Sequence, residues 1–171
     1  MQFSVLARVA TLLIIAMHMS APSAATTIDL TCRMAIPKPG LARDTVPLTF
    51  EILNRSKKAI NVLIWNTPLE GFFGRYLRVI GASGELEYGG AMVKRGAPER
   101  ADYVRIKAGG SLSKTINLAE VYQFGAGANY RVEFIGQLFD ATTAKVPRAL
   151  PHHASFSLTC PDVAFSIQAG K

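Results

Sequence analysis

The chain has 171 residues, of which 49% are hydrophobic, so it is long enough for one domain with a substantial core. Its 19 Lys and Arg residues outnumber its 12 Asp and Glu residues and give a formal net charge of +7. The basic residues are scattered, with no run longer than a pair, which argues against a nucleic-acid-binding arm.

Residues 1–25 have the three parts of a signal peptide. Arg8 is the only charged side chain near the start, an apolar run covers residues 9–19, and residues 20–25 are small with one proline. A membrane-spanning helix needs roughly 20 apolar residues, about twice the length of this run. We therefore expect cleavage after Ala25 and export to the periplasm or the medium; the alternative is a retained anchor.

From residue 28 onward, apolar residues recur at every second position, which is typical of half-buried strands. Turns rich in Gly, Pro or polar residues separate these segments, and residues 81–84 join two of them as a hairpin. Residues 118–122 favour one helical turn, and the segment after Pro161 is expected to be weakly ordered. Strands are predicted at 28–34, 46–52, 60–64, 77–80, 85–88, 102–107, 112–118, 130–134 and 156–160.

This pattern of about eight to nine short strands predicts an all-β fold. We expect a single domain over residues 26–171, built as an immunoglobulin-like sandwich of two sheets, with a closed barrel as the alternative. Asn54-Arg55-Ser56 matches the acceptor pattern for N-glycosylation and predicts a surface turn.

The two cysteines, Cys32 and Cys160, are each preceded by Leu-Thr. An even pair in an exported protein predicts one disulfide, here between the first and the last predicted strand. A redox pair and a metal site are the alternatives, but the sequence has no Cys-x-x-Cys and no histidine near Cys32.

Motifs that carry catalysis are missing. The histidines beyond the signal segment, His152 and His153, are neighbours and would point to opposite faces of a strand. The sequence contains no His-Glu-x-x-His, no Gly-x-Ser-x-Gly and no phosphate-binding loop. We therefore expect a non-catalytic protein that uses neither a metal nor a cofactor.

Two segments are unusually rich in large and turn-forming residues. One covers residues 65–71, directly after a predicted strand, and the other covers residues 89–98. A tryptophan at a strand end often fills a sandwich core, and paired basic residues often belong to a solvated loop. The alternative is a surface that contacts a partner. Its candidate residues are Trp65, Asn66, Thr67, Pro68, Leu69, Glu70, Lys94, Arg95, Gly96 and Pro98.

These segments resemble the N-terminal domain of deuterolysin-type (aspzincin) zinc endopeptidases. The resemblance covers residues 46–138, and its most specific part is Trp-x-Thr-Pro-Leu-Glu-Gly followed by Lys-Arg-Gly-x-Pro. In that family a β-sandwich domain precedes the peptidase domain and acts as a propeptide that assists folding and keeps the enzyme latent. The peptidase's zinc histidines, catalytic glutamate and aspartate ligand have no counterpart here. The resemblance therefore implies recognition of a peptidase rather than proteolysis.

Three functions follow as hypotheses. The first is binding of a secreted zinc endopeptidase, as inhibitor or folding helper, through residues 89–98 with an apolar contact from residues 66–73. The second is an envelope-associated module that binds polysaccharide or protein, in which exposed aromatic rings would stack on sugars; burial of Trp65 would weaken it. The third is a structural remnant domain. The tyrosines available for stacking are Tyr76, Tyr88, Tyr103 and Tyr122.

Overall fold

The computed structural model describes residues 28–37, 40–150 and 155–169. The predicted signal segment with its cleavage site, and the histidine pair His152 and His153, lie outside these residues. Within the described ranges the chain forms ten strands and two short 3-10 helices. No helix in these ranges is long and apolar enough to cross a membrane.

The strands are β1 (Leu30–Ala35), β2 (Pro47–Asn54), β3 (Ile60–Leu63), β4 (Leu77–Gly81), β5 (Gly84–Glu85), β6 (Tyr103–Ile106), β7 (Ser111–Asn117), β8 (Asn129–Phe134), β9 (Ala141–Thr142) and β10 (Val163–Ser166). The 3-10 helices are Arg100–Asp102, before β6, and Leu118–Glu120, where a helical turn was predicted.

All pairings between neighbouring strands are antiparallel, and the strands form three sheets with the orders β1-β2-β7, β10-β8-β4-β5 and β6-β3-β9. The all-β class is confirmed, although three hydrogen-bonded sheets replace the expected two.

Strand β2 shows how alternation builds the core. Leu48, Phe50 and Ile52 are fully buried, while the residues between them are half-buried. Phe50 packs on Phe134 of β8 with ring centroids 5.3 Å apart, so the first and second sheets face each other across the core. Burial of each such side chain contributes about 1.5–3 kcal/mol to stability.

The predicted disulfide joins Cys32 on β1 to Cys160, with the Cα atoms 4.8 Å apart. Both residues are buried. Since β1 belongs to the first sheet and Cys160 precedes β10 of the second, the bond links the two sheets. It closes a loop that spans 128 positions of the chain.

Two predictions for the end of the chain were wrong. The segment after Pro161 is ordered: it contains β10, and Phe165 of this strand stacks on Tyr130 with centroids 5.5 Å apart. In contrast, the predicted strand at 156–160 contributes only an isolated bridge from Phe156 to Leu138. Apolar residues alternate at Val163, Phe165 and Ile167, so the sequence does carry a strand signal after Pro161.

The predicted surface turn is present but begins one residue later than expected, since Asn54 itself lies inside the domain. Asn54 is the last residue of β2 and only 1% exposed. Its side-chain amide donates hydrogen bonds to backbone carbonyls inside the domain, while the turn itself begins at the exposed Arg55.

Replacing both cysteines with alanine is expected to lower the free energy of unfolding by about 2–5 kcal/mol, because the unfolded chain is no longer closed into a long loop. Urea unfolding of the oxidised wild type and of the Cys32→Ala/Cys160→Ala variant measures this difference. Unfolding curves that coincide would contradict a stabilising role for the bond.

Candidate functional site

The segment after β3 folds into a compact turn. The Thr67 hydroxyl donates to the carbonyl oxygen of Ile64 at 2.6 Å and accepts from the N–H of Leu69 at 3.2 Å. Pro68 follows Thr67 with the fixed φ that such a turn requires. Gly71 ends the turn with φ +96°, a conformation that strains any residue with a Cβ. The Thr-Pro-Leu-Glu-Gly sequence is therefore explained by local backbone geometry.

Most of the predicted contact residues in this turn lie inside the domain. Trp65 is 5% exposed and packs in a small second core with Leu63, Tyr103 and Val146. The turn reaches the surface at Asn66 and Glu70, which are half-buried. The buried members, Trp65, Thr67, Pro68 and Leu69, have the core and turn roles that were weighed against partner binding.

An ion pair between the fully buried Asp140 and the partly exposed Arg148 borders the small core. Asp140 is fully buried, pairs with Arg148 and accepts a hydrogen bond from the Tyr103 hydroxyl at 2.9 Å. Burial and the Asp140 carboxylate raise the pKa of Tyr103 to about 12, so this phenol remains a donor at neutral pH. The network anchors Tyr103, which packs with Trp65, and sequence analysis did not anticipate it because residue types alone do not show that Asp140 is buried.

Arg95 connects residues 89–98 to the turn. Its guanidinium pairs with the Glu70 carboxylate and lies 5.1 Å from the centre of the Trp65 ring and 5.8 Å from that of Phe73. The N–H of Val93 also donates to the carbonyl oxygen of Phe73 at 3.2 Å. These contacts hold the middle of the segment against the turn, so Arg95 is a positioning residue.

The Glu70 carboxylate is enclosed by these contacts, with only 6% of its side chain exposed. Burial raises its pKa, although the N–H of Asn66 at 2.8 Å and the charge of Arg95 both favour the ionised form. Asn66 adopts φ +58°, a left-handed conformation that asparagine tolerates better than most residues.

An apolar surface surrounds Arg95. Phe73, Met92 and Val93 are 49%, 72% and 41% exposed; the other large hydrophobic side chain exposed in the described ranges is Ile135. The three residues line an open pocket of about 280 Å³. Large apolar side chains gathered in one exposed place mark an interaction surface. We call it the Arg95 pocket; its defining residues are Trp65, Glu70, Phe73, Met92, Val93, Arg95 and Phe139.

The remaining predicted residues lie next to this pocket. Lys94 and Gly96 are exposed and Pro98 is half-buried. Gly96 faces open space, so nothing in the domain requires glycine for close contact there. Met92 and Val93 lie in the predicted contact segment 89–98 but were not named individually, and sequence analysis did not single out Phe139. An adjacent Met-Val pair inside a glycine-rich loop was the available signal for the first two.

The described part of the chain contains no group of three His, Cys, Asp or Glu side chains placed to hold a metal ion. The Arg95 pocket is lined by two arginines, Arg75 and Arg95, by the enclosed Glu70 carboxylate and by several apolar side chains.

Comparison with known proteins finds similarity to an extracellular protease of Aeromonas hydrophila. The two are 29% identical over 93 residues, which cover 54% of this chain and 26% of that protein. The match thus spans about a quarter of the protease's length. No protein-family model matches the chain. The chain is therefore similar to part of an extracellular protease, and the disulfide is consistent with the oxidising setting in which such proteins occur.

Arg148→Met is expected to lower the free energy of unfolding by about 2–4 kcal/mol, because it leaves the buried Asp140 carboxylate without its cation. Arg33→Met is the matched control: Arg33 pairs with Glu51 but is 66% exposed, so its loss is expected to cost no more than about 1 kcal/mol. Urea unfolding measures both variants, and equal losses would contradict the role given to Asp140.

The pH dependence of Trp65 fluorescence tests the Glu70–Arg95 pair, since Trp65 is the single tryptophan of the chain. Lowering the pH through the raised pKa of Glu70 neutralises its carboxylate and releases Arg95 from the tryptophan ring. We expect an emission change with a midpoint above 4.5, the ordinary value for a glutamic acid, and no such change in Glu70→Gln.

Glu133→Gln is the control for this titration, since Glu133 is also ion-paired but its partners are Arg78 and Arg131. It should retain the wild-type transition.

The raised pKa of Glu70 also affects the free energy of unfolding. The folded protein holds the Glu70 proton more tightly than the unfolded chain, so the contribution of this group to stability falls as the pH rises from the unfolded to the folded pKa.

Proposed function

We propose that the chain is an exported, non-catalytic protein that binds a secreted zinc endopeptidase and acts on it as an inhibitor or a folding helper. The observation that carries the proposal is the Arg95 pocket. It is formed where the two segments that resemble the deuterolysin-type propeptide meet. The similarity to part of an extracellular protease supports a protease-associated role.

The loop that contains Lys94 is ordered before any partner arrives. The N–H of Gly89 donates to the carbonyl oxygen of Val121 at 2.8 Å, and Val93 and Arg95 are attached to Phe73 and Glu70 as described. A loop held at several points loses little conformational entropy on binding, which favours affinity. Residues 89–98 therefore meet the first requirement for a segment that enters or covers a peptidase cleft.

The pocket also has apolar side chains inside and a charged side chain at its edge, as protein interfaces do. Met92, the most exposed of its apolar residues, has a flexible side chain that adapts to the shape of a partner. Lys94 is exposed at the edge, where a charge directs approach and orientation. Arg95 is already neutralised by Glu70, so an apolar partner group can cover it without leaving an unpaired charge.

The aromatic side chains do not favour the polysaccharide-binding alternative. Trp65, Tyr76, Tyr103 and Tyr122 are all less than 9% exposed. Tyr88 is half-buried, with its ring centroid 5.7 Å from that of Tyr122. Sugar recognition by stacking needs a ring face open to solvent, and these residues do not form such a platform.

The test of the proposal is capture by the oxidised protein from the secreted proteins of its own source, followed by titration of any captured endopeptidase. We expect a zinc endopeptidase on the bait, and either a fall in its activity as the protein is added or a rise in its yield on refolding. Recovery of no peptidase, with secreted proteolysis unchanged, would overturn the proposal.

Paired substitutions locate the binding surface. Met92→Ser and Val93→Ser are expected to weaken binding by about tenfold or more each, the effect of losing a central apolar contact. Ile135→Ser is the control, because Ile135 is 42% exposed, close to the 41% of Val93, and does not line the pocket. Calorimetric titration with the captured endopeptidase measures the affinity of each variant for it. Equal weakening by Ile135→Ser would exclude the Arg95 pocket as the binding surface.

A further inference from the structure

A second surface lies at the other end of β3 from the Arg95 pocket. Strand β3 begins at Ile60, next to the turn 55–59, and ends at Leu63, which packs with Trp65. Ile60 pairs with Ile106 of β6, so the turn 107–110 that follows β6 lies at the same end. Residues 55–59 read Arg-Ser-Lys-Lys-Ala and residues 107–110 read Lys-Ala-Gly-Gly, so neither turn contains Asp or Glu.

Asn54 fixes these turns relative to each other. Its side-chain amide donates to the carbonyl oxygens of Lys58 at 2.8 Å and of Ile106 and Lys107, both at 3.1 Å. Its backbone N–H donates to the carbonyl oxygen of Gly110 at 2.9 Å. Because Asn54 is 1% exposed, water does not compete for these bonds. The two turns therefore form one rigid surface.

The exposed cations of this surface include Arg55, Lys57, Arg105 and Lys107, which we call the basic end. Arg105 and Lys107 share the outer face because they are two positions apart on an extended chain. Lys57, Arg105 and Lys107 make no ion pair with any residue in the described ranges.

Few groups around the basic end offset its charge. The Arg55 Nε atom donates to the neutral hydroxyl of Thr31 at 3.5 Å. Asp29 is the acidic residue beside the turn 55–59, and its backbone carbonyl accepts from the N–H of Arg55. On the adjoining side, Asn61 of β3 is the strand partner of Arg105. Its side-chain amide donates to the carbonyl oxygen of Ala144, and the next residue, Lys145, is exposed. The local field is therefore positive.

We propose that the basic end binds the phosphate headgroups of an anionic phospholipid membrane. Ammonium and guanidinium groups exposed on two turns that are fixed to each other can meet several headgroups at once, and each cation near a membrane surface strengthens binding about fivefold. The two turns contain no aromatic residue, so the base stacking that supports binding of single-stranded nucleic acid is missing. Bound in this way, the protein holds the Arg95 pocket at the end away from the membrane.

Flotation with lipid vesicles tests this proposal. Wild-type protein should float with vesicles of phosphatidylglycerol and phosphatidylcholine in equal parts and stay behind with pure phosphatidylcholine. High ionic strength should abolish the binding, because exposed charges are then screened. Equal binding to the two kinds of vesicle would overturn the proposal, as would tighter binding to a single-stranded oligonucleotide than to the anionic vesicles.

Two double variants with the same change in net charge separate the basic end from the overall charge. Lys57→Gln/Lys107→Gln is expected to lower the vesicle partition coefficient about 25-fold, from about fivefold per cation. Arg43→Gln/Arg100→Gln removes two exposed arginines near the starts of β2 and β6, at the opposite end, and should lower the coefficient by less than about twofold. An equal fall in both variants would overturn the proposal. Peptidase capture by the first variant is expected to be unchanged.

Discussion

Strand β2 is the central strand of the first sheet and also contacts the other two, and the arrangement of the domain depends on it. Its backbone pairs with β1 and β7 to form the first sheet. Phe50, on its buried face, packs on Phe134 of the second sheet. Its last residue, Asn54, bonds to the backbone that leads into β3 and out of β6 in the third. One alternating strand thus provides the pairing surface, the core contact and the polar connection that position the rest.

The two motifs that carry the resemblance to a protease propeptide are physically connected. Glu70, in the first, pairs with Arg95, in the second, and the two segments meet around the Trp65 ring. In the first motif, threonine, proline and glycine shape a turn, and the tryptophan is in the core. This gives a simple account of why these residue types occur together: they build a support that exposes the apolar side chains next to Arg95.

Local patterns predicted the parts of the fold that depend on local chemistry. Alternation predicted β2 as residues 46–52, within two residues of the observed Pro47–Asn54, and the cysteine pair predicted the disulfide. Alternation did not predict β9, because a strand of two residues is too short to show the pattern. The site was harder to predict: residues 65–71 and 89–98 were singled out, but the Asp140–Arg148 pair is set by tertiary packing. Residue types alone do not show which of Trp65 and Met92 is buried.

The position of Asn54 has a consequence for producing the protein in a eukaryotic secretory pathway. Asn54-Arg55-Ser56 is an acceptor for oligosaccharyltransferase, which modifies the asparagine amide before the chain folds. In the folded domain that amide nitrogen is buried and bonded to three carbonyl oxygens, so it has no room for a glycan. A glycosylated chain could not close its two basic turns around Asn54, and folded material from such a host would come from molecules that escaped the enzyme.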